Sequence, residues 1–129
     1  MFNFKLYSKP TIPAFPALAA YEHKNFYFCR VALWNWLDNN RIVVSDPHAP
    51  RMITMDPWPQ LLFLDATGER TVAEYVDYMA HRYKRDTPEK LDATIIAELE
   101  KLVQSRLLIL ADSPITIHPT HDQPYSPKE

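Results

Sequence analysis

Two histidines and an aspartate near the end of the sequence come closest to a metal-binding pattern. They are His118, His121 and Asp122, in the stretch His-Pro-Thr-His-Asp. A zinc site needs three or four ligands at a settled spacing, and His48 and His23 could join these residues only through long-range folding. We therefore expect scattered surface histidines, with no metal and no other cofactor.

The other reactive side chains favour structural roles. Cys29 is the single cysteine, so it forms no internal disulfide, and we expect a buried, inert thiol in a reducing, cytoplasmic setting. The carboxylates Asp56, Asp65 and Glu74 lie where helix caps and turns need them, and they do not indicate an acid–base pair. Gly68 is the only glycine, which excludes glycine-rich phosphate loops. The sequence therefore predicts a protein without enzymatic activity.

Composition narrows the classes of partner. The 129 residues are 47% hydrophobic and 23% charged, which is typical of one globular domain. No apolar run reaches the length of about 18 residues that spans a membrane, and residues 1–9 do not read as a secretory signal. The net charge of −2 lacks the basic excess that phosphate binding uses, so we expect no nucleic acid and no membrane as partners.

Prolines and composition divide the chain into three regions. Residues 1–25 form an apolar, proline-rich arm, residues 26–111 form the domain, and residues 112–129 form a proline- and histidine-rich tail. The arm is too apolar for a solvated segment, so it packs either on its own domain or on a partner. The composition of the tail predicts no core of its own.

The first half of the domain predicts a small antiparallel sheet of three strands. Residues 26–37 are apolar on every face, which leaves strand and buried helix both open, and their aromatic and β-branched content favours a strand. The turn residues 38–40 separate this segment from a strand over 41–45. A proline-containing loop then precedes a short strand over 51–55.

The second half of the domain predicts three helices and a short closing strand, over residues 57–65, 71–83, 87–105 and 107–110. Gly68 is predicted to end the first helix in a left-handed conformation. Thr71 and Glu74 have the spacing of a capping box at the start of the second helix. Thr87 and Pro88 have the residue types of an N-cap and first helical position for the third.

The junction of the first two helices reads Leu61-Leu62-Phe63-Leu64-Asp65-Ala66-Thr67-Gly68-Glu69-Arg70-Thr71-Val72-Ala73-Glu74. This stretch resembles the PqqD-like family, whose members are winged-helix domains also called RiPP recognition elements. The shared features are an apolar helix end, an acid and a glycine, and Thr-Val with a following acid. The resemblance extends over Leu33–Leu110. The chain differs from the family pattern by the insertion of Ala66-Thr67 and by Arg106, which stands where the family has a glycine.

The resemblance implies an α+β, winged-helix-like domain, with a small three-stranded antiparallel sheet followed by three helices and a short closing strand. It implies a non-catalytic adaptor that binds a precursor (leader) peptide by strand addition and presents it to a peptide-modifying enzyme. The residues that this places at the peptide are Arg51, Met52, Ile53, Thr54 and Met55 on the third strand, and Ile96, Glu100 and Val103 on the third helix. A short edge strand of this kind can stay unpaired without aggregating.

Two other functions compete with the adaptor. A structural subunit of a larger assembly would use the apolar arm and the proline-rich tail to hold a partner. A winged-helix DNA-binding regulator would use its third helix, but that helix carries an excess of acids that repel phosphate. The sequence leaves open whether the chain forms a homodimer, which peptide it binds and which pathway it serves.

Overall fold

The computed structural model describes residues 12–125, so the first part of the arm and residues 126–129 of the tail lie outside the described residues. The described elements are α1 (Pro16–Ala20), β1 (Tyr27–Arg30), β2 (Trp34–Trp36), β3 (Ile42–Ser45), β4 (Met52–Thr54), α2 (Pro57–Asp65), β5 (Thr67–Thr71), α3 (Val72–Ala80), α4 (Leu91–Gln104), β6 (Leu108–Ala111) and α5 (Pro119–Asp122). Among residues 12–125, no helix has both the length and the apolar character to cross a membrane.

The strands form two antiparallel sheets of three strands each. The meander sheet has the order β2-β3-β4, and the closing sheet has the order β5-β1-β6. In the meander sheet, Val44 lies opposite Trp34 on one side and opposite Ile53 on the other. The mixed α and β class expected from the sequence is confirmed, and the expectation of one sheet is wrong, because the described residues form two.

The segment 26–37 accounts for the difference. Its sequence leaves strand and buried helix both open, with strand favoured, and it forms two strands, β1 and β2, which belong to different sheets. Ala32, between them, is almost fully buried, whereas Leu33 is 38% exposed. The chain changes sheets without a polar turn, so the sequence stays apolar throughout and gives no sign of the break.

β5 is a strand that the sequence pattern did not predict. Its residues, Thr-Gly-Glu-Arg-Thr, are mostly polar and have the composition of a turn. Gly68 does adopt the left-handed conformation, with φ of +85°, but it does so inside β5 and not at the end of the first helix. The predicted closing strand is confirmed as β6, which pairs with β1 and not with the meander sheet.

The helix signals were reliable at α3 and misleading at α4. Thr71 Oγ1 accepts a hydrogen bond from the Glu74 amide at 3.1 Å, and Glu74 Oε1 accepts one from the Thr71 amide at 2.8 Å, so the capping box is confirmed. α4 begins at Leu91, so the predicted start at Thr87 is wrong. The buried Thr87 hydroxyl donates instead to the carbonyl of Ala80, which ties it to the end of α3.

The core lies between the two sheets and the helices α2, α3 and α4. Its largest fully buried side chains include Tyr75, Phe28 and Phe63. The rings of Phe28 and Tyr75 meet edge to face, with centroids 5.4 Å apart, and the Tyr75 hydroxyl donates to Asp65 Oδ2 at 2.8 Å. Burial and this hydrogen bond to a carboxylate raise the pKa of Tyr75, so the phenol stays protonated as a donor.

Candidate peptide-binding edges

β4 has one paired side and one open side. It pairs with β3 on one side only, because it is the last strand of the meander sheet. The Asp46 amide donates to the Arg51 carbonyl at 3.1 Å. Because residues of an antiparallel strand point their backbone groups alternately toward and away from the partner strand, this bond shows which residues of β4 face β3. The backbone groups of Ile53 therefore face β3, and those of Met52 and Thr54 face outward. Among the described residues, no backbone partner meets them.

The side chains of the predicted strand site divide between the two faces of the meander sheet. Ile53 and Met55 are half-buried and pack against the core. Met52 is 60% exposed and Thr54 is also exposed. Arg51 forms an ion pair with Asp46, with Nε 2.8 Å from Oδ2, and this pair closes the loop before β4. Hydrogen bonds from the His48 amide and from Arg51 hold the pKa of Asp46 below its usual value.

A small cavity of about 220 Å³ lies at the end of β4. Thr54 and Met55 form part of its lining, together with Asp56 and Gln60 of the following turn and helix. Gln60 Oε1 accepts a hydrogen bond from the Ile42 amide, and its Nε2 donates to the Asn40 carbonyl, so the cavity wall is fixed to β3.

The predicted helix residues are not assembled beside β4. α4 packs mainly on α1, α2, α3 and β6. Ile96 and Val103 are half-buried against the core. Glu100 accepts a hydrogen bond from the hydroxyl of Tyr21, which belongs to the arm. Burial and this contact raise the pKa of Tyr21. Of these three residues of α4, the arm therefore covers Glu100.

The described part of the arm packs on its own domain. α1 lies against α4, and the amide of Leu18 donates to Oδ2 of the buried Asp92 at 2.9 Å. Phe15, Leu18 and Tyr21 pack against the core. For residues 12–25, the open choice between own domain and partner is therefore resolved in favour of the own domain. The rest of the arm lies outside the described residues.

The tail is also held by the domain, and Arg30 is its main anchor. The Arg30 side chain is 4% exposed. Its guanidinium donates to the carbonyls of His121 (2.7 Å), Asp122 (2.9 Å) and Leu64 (2.7 Å). Burial lowers the pKa of Arg30, and the nearby Asp122 carboxylate partly offsets this effect. The sequence pattern missed this residue, because its partners are about ninety positions away.

The tail closes two of the four sheet edges. The Ile115 amide donates to the Gly68 carbonyl on the outer side of β5 at 3.0 Å. The Tyr125 amide donates to the outward carbonyl of Trp34 on β2 at 2.6 Å. Trp34 Nε1 in turn donates to the backbone carbonyl of His121. Residues 112–125 therefore pack on the domain, and they do so without a core of their own. β4 and β6 are the two edges that the described residues leave open.

The remaining candidate groups have structural surroundings. Cys29 is buried, as expected, and burial raises the pKa of its thiol. Trp34 lies in the core, whereas Trp36 is 47% exposed at the end of the meander sheet. His118 and His121 lie together, with ring centroids 5.5 Å apart, and residues 12–125 contain no group of three or more potential metal ligands.

Comparisons of the chain with protein-family models, with curated proteins and with solved structures gave no match.

Proposed function

We propose that this protein is a non-catalytic adaptor that binds an extended precursor peptide by strand addition to β4 and presents it to a modifying enzyme. In this proposal the meander sheet and helices α2, α3 and α4 form a winged-helix-like unit. The observation that carries the proposal is the open side of β4, where Met52 and Thr54 direct their amides and carbonyls away from β3.

Strand addition explains why this edge suits a peptide. Main-chain hydrogen bonds to Met52 and Thr54 would supply affinity that does not depend on sequence. Selectivity would come from side chains that alternate between the exposed face around Met52 and the cavity beside Met55. Because the arm covers Glu100, recognition is concentrated on β4 and this cavity, and α4 serves as a support.

A structural subunit is less well supported. That alternative rests on an arm and a tail that extend to hold a partner. The arm from residue 12 and the tail to residue 125 pack on their own domain through Tyr21, Leu18, Ile115 and Tyr125. These contacts explain the apolar character of the described parts without a second protein.

The experiment selects peptides on the whole protein from a displayed library of random nonapeptides. The selected peptides are then measured against Thr54→Pro, which removes an outward N–H and leaves the bonds to β3 in place. The matched control is Thr54→Val, which keeps that N–H. We expect Thr54→Pro to weaken binding by about tenfold, the equivalent of one main-chain hydrogen bond. Thr54→Val should bind nearly as well as the natural chain.

Amide spectra complete the test. Peptide addition should shift the amide signals of Met52 and Thr54, and the unliganded spectrum of Thr54→Pro should show an intact fold. Failure to select any peptide, or equal affinity for the proline and valine variants, would show that β4 is not the binding edge.

A further inference from the structure

The edge of β6 is the second open edge of the described protein, and it lies on the other sheet. The Val31 amide donates to the Leu107 carbonyl at 2.9 Å, and this bond shows which residues of β6 point their backbone groups toward β1. In this register Ile109 bonds to Cys29, and the backbone groups of Leu108 and Leu110 face away from β1. No backbone partner among residues 12–125 reaches them.

A groove of about 570 Å³ runs beside this edge. Leu108, Ile109 and Leu110 form one wall, and Val103 at the end of α4 contributes to the lining. Ile109 is 43% exposed, so an apolar strand edge is in contact with solvent. Such an edge is an aggregation risk unless a partner or a protective device covers it. β6 itself has no proline, lysine or other charged residue that would provide that protection.

All ionisable side chains in the lining of this groove are basic types: His23, His48 and Arg106. His23 Nε2 lies 3.2 Å from the exposed Glu22 carboxylate, and its Nδ1 is buried without a hydrogen-bond partner in the described structure. Asp46, beside His48 in sequence, is already engaged by Arg51. Arg106 therefore carries the positive charge of this lining, and an occupant with a carboxylate would meet complementary charge there.

Arg106 gives an independent indication that the groove has a function. Its φ is +62°, in the left-handed region that favours glycine. It follows the C-cap of α4, where its amide donates to Val103 and the Leu107 amide donates to Leu102, the pattern of a Schellman motif. Glycine would relieve the strain at this position, so the arginine costs some stability here. Strained residues occur more often at binding sites than elsewhere, and the position of Arg106 in the groove lining agrees with such a role.

We propose that the groove beside β6 binds an extended acidic segment of a partner protein, which adds as a fourth strand to the closing sheet. Main-chain bonds form with Leu108 and Leu110, apolar side chains of the guest pack on Val103 and Ile109, and its carboxylates lie near Arg106. This site is separate from the β4 edge and does not depend on peptide binding there.

The test uses the full-length chain labelled with ¹⁵N and two short peptides. The probe is acetyl-Val-Glu-Val-Glu-Val-amide, and its matched control is acetyl-Val-Lys-Val-Lys-Val-amide. The glutamate peptide should shift the amide signals of Leu108 and Leu110 and slow their hydrogen exchange, and the lysine peptide should bind much more weakly. Equal binding of the two peptides, or an absence of shifts at these residues, would overturn the proposal.

Two variants separate charge from folding. Arg106→Gly removes the cation and relieves the backbone strain, so it should weaken binding of the glutamate peptide by roughly fivefold while the protein unfolds at a higher temperature. Arg106→Lys keeps a cation and should retain most of the affinity. If Arg106→Gly binds as the natural chain does, the arginine has no part in recognition and the proposal fails.

Two further outcomes are decided by the same samples. Thr54→Pro should leave binding of the glutamate peptide unchanged. The proposal for the β4 edge and the proposal for the β6 edge can therefore be rejected separately. Dilution of the unliganded protein should not move the signals of Leu108 and Leu110. Concentration-dependent shifts there, with a dimer in light scattering, would identify a second copy of this chain as the occupant and refute an acidic partner.

Discussion

At the scale of single residues, Arg30 connects three separate parts of the chain. It lies on β1, and its guanidinium bonds to carbonyls at the end of α2 and in the tail. The rings of Trp34 and Phe63 also lie near it, with centroids 5.6 and 6.0 Å from Cζ. Its charge is therefore satisfied mainly by backbone oxygens, and among residues 12–125 its one carboxylate partner is Asp122, at 3.4 Å.

We expect Arg30→Met to lower the free energy of unfolding by about 3 kcal/mol, because three buried or half-buried carbonyls lose their donors. Urea denaturation measures the change. The matched control is Arg41→Met, whose guanidinium is exposed and pairs with the exposed Asp38. Solvent screens that pair, so Arg41→Met should change the free energy of unfolding far less than Arg30→Met does. A similar small loss for both variants would show that Arg30 does not anchor the tail.

His121 makes the attachment of the tail sensitive to pH. Burial lowers its pKa below the usual value of 6.5, and the neighbouring His118 and Arg30 add to this effect. Asp122 is the nearby carboxylate, and it is engaged by Arg30. The folded state therefore binds the His121 proton less tightly than the unfolded state does, so stability is present above the unfolded pKa and falls as the pH drops below it.

We expect the unfolding temperature to fall between about pH 7 and about pH 5.5, with His121→Gln reducing this dependence. Thermal unfolding in a series of buffers makes the measurement. A profile that is flat in this range, or that His121→Gln does not alter, would contradict the assignment.

At the scale of elements, the contact of β5 with the tail depends on the absence of a side chain at Gly68. A Cβ there would lie 2.2 Å from the Ile115 carbonyl oxygen, and the φ of +85° disfavours any other residue. We expect Gly68→Ala to cost about 2 to 3 kcal/mol and to make the tail more sensitive to protease. In a chain that ends at Asp112, the same substitution should cost only the backbone strain. An equal cost in both chains would exclude a clash with the tail.

The elements that could be predicted are those whose signals are local. The capping box of Thr71 and Glu74 depends on residues three positions apart, and it forms as expected. The start of α4 was misjudged because Thr87 bonds to Ala80, a tertiary contact that competes with the cap. β5 was missed because a polar strand with a glycine has the composition of a turn, and only its pairing with β1 makes it a strand.

The candidate site shows the same division between local and distant signals. A short strand over 51–55 could be predicted from its residues, and β4 occupies Met52–Thr54 at an open edge. The contact between Tyr21 and Glu100 could not be foreseen, because it joins the arm to α4 across 79 positions. The groove beside β6 likewise combines residues from the arm, the loop before β4 and the end of α4.

At the scale of the whole molecule, the arrangement of edges follows from the path of the tail. Two sheets have four outer edges, and residues 112–125 bond to β5 and β2 in succession. The edges of β4 and β6 stay open in the described structure, and a cavity lies near each of them. The tail thus occupies part of the edges of β5 and β2 and disfavours strand addition there.

Removal of the tail tests this arrangement. In a chain that ends at Asp112, the edges of β2 and β5 lose their partners at Tyr125 and Ile115, and Arg30 is left without its tail carbonyls. We expect a loss of at least about 3 kcal/mol of stability, with self-association through the new open edges. Denaturation and light scattering measure the two effects.

A synthetic peptide of residues 113–125 should restore the monomer, whereas a scrambled peptide of the same composition should not. If the shortened chain remains a monomer with unchanged stability, the tail does not close these edges, and their openness would no longer distinguish β4 and β6 as binding sites.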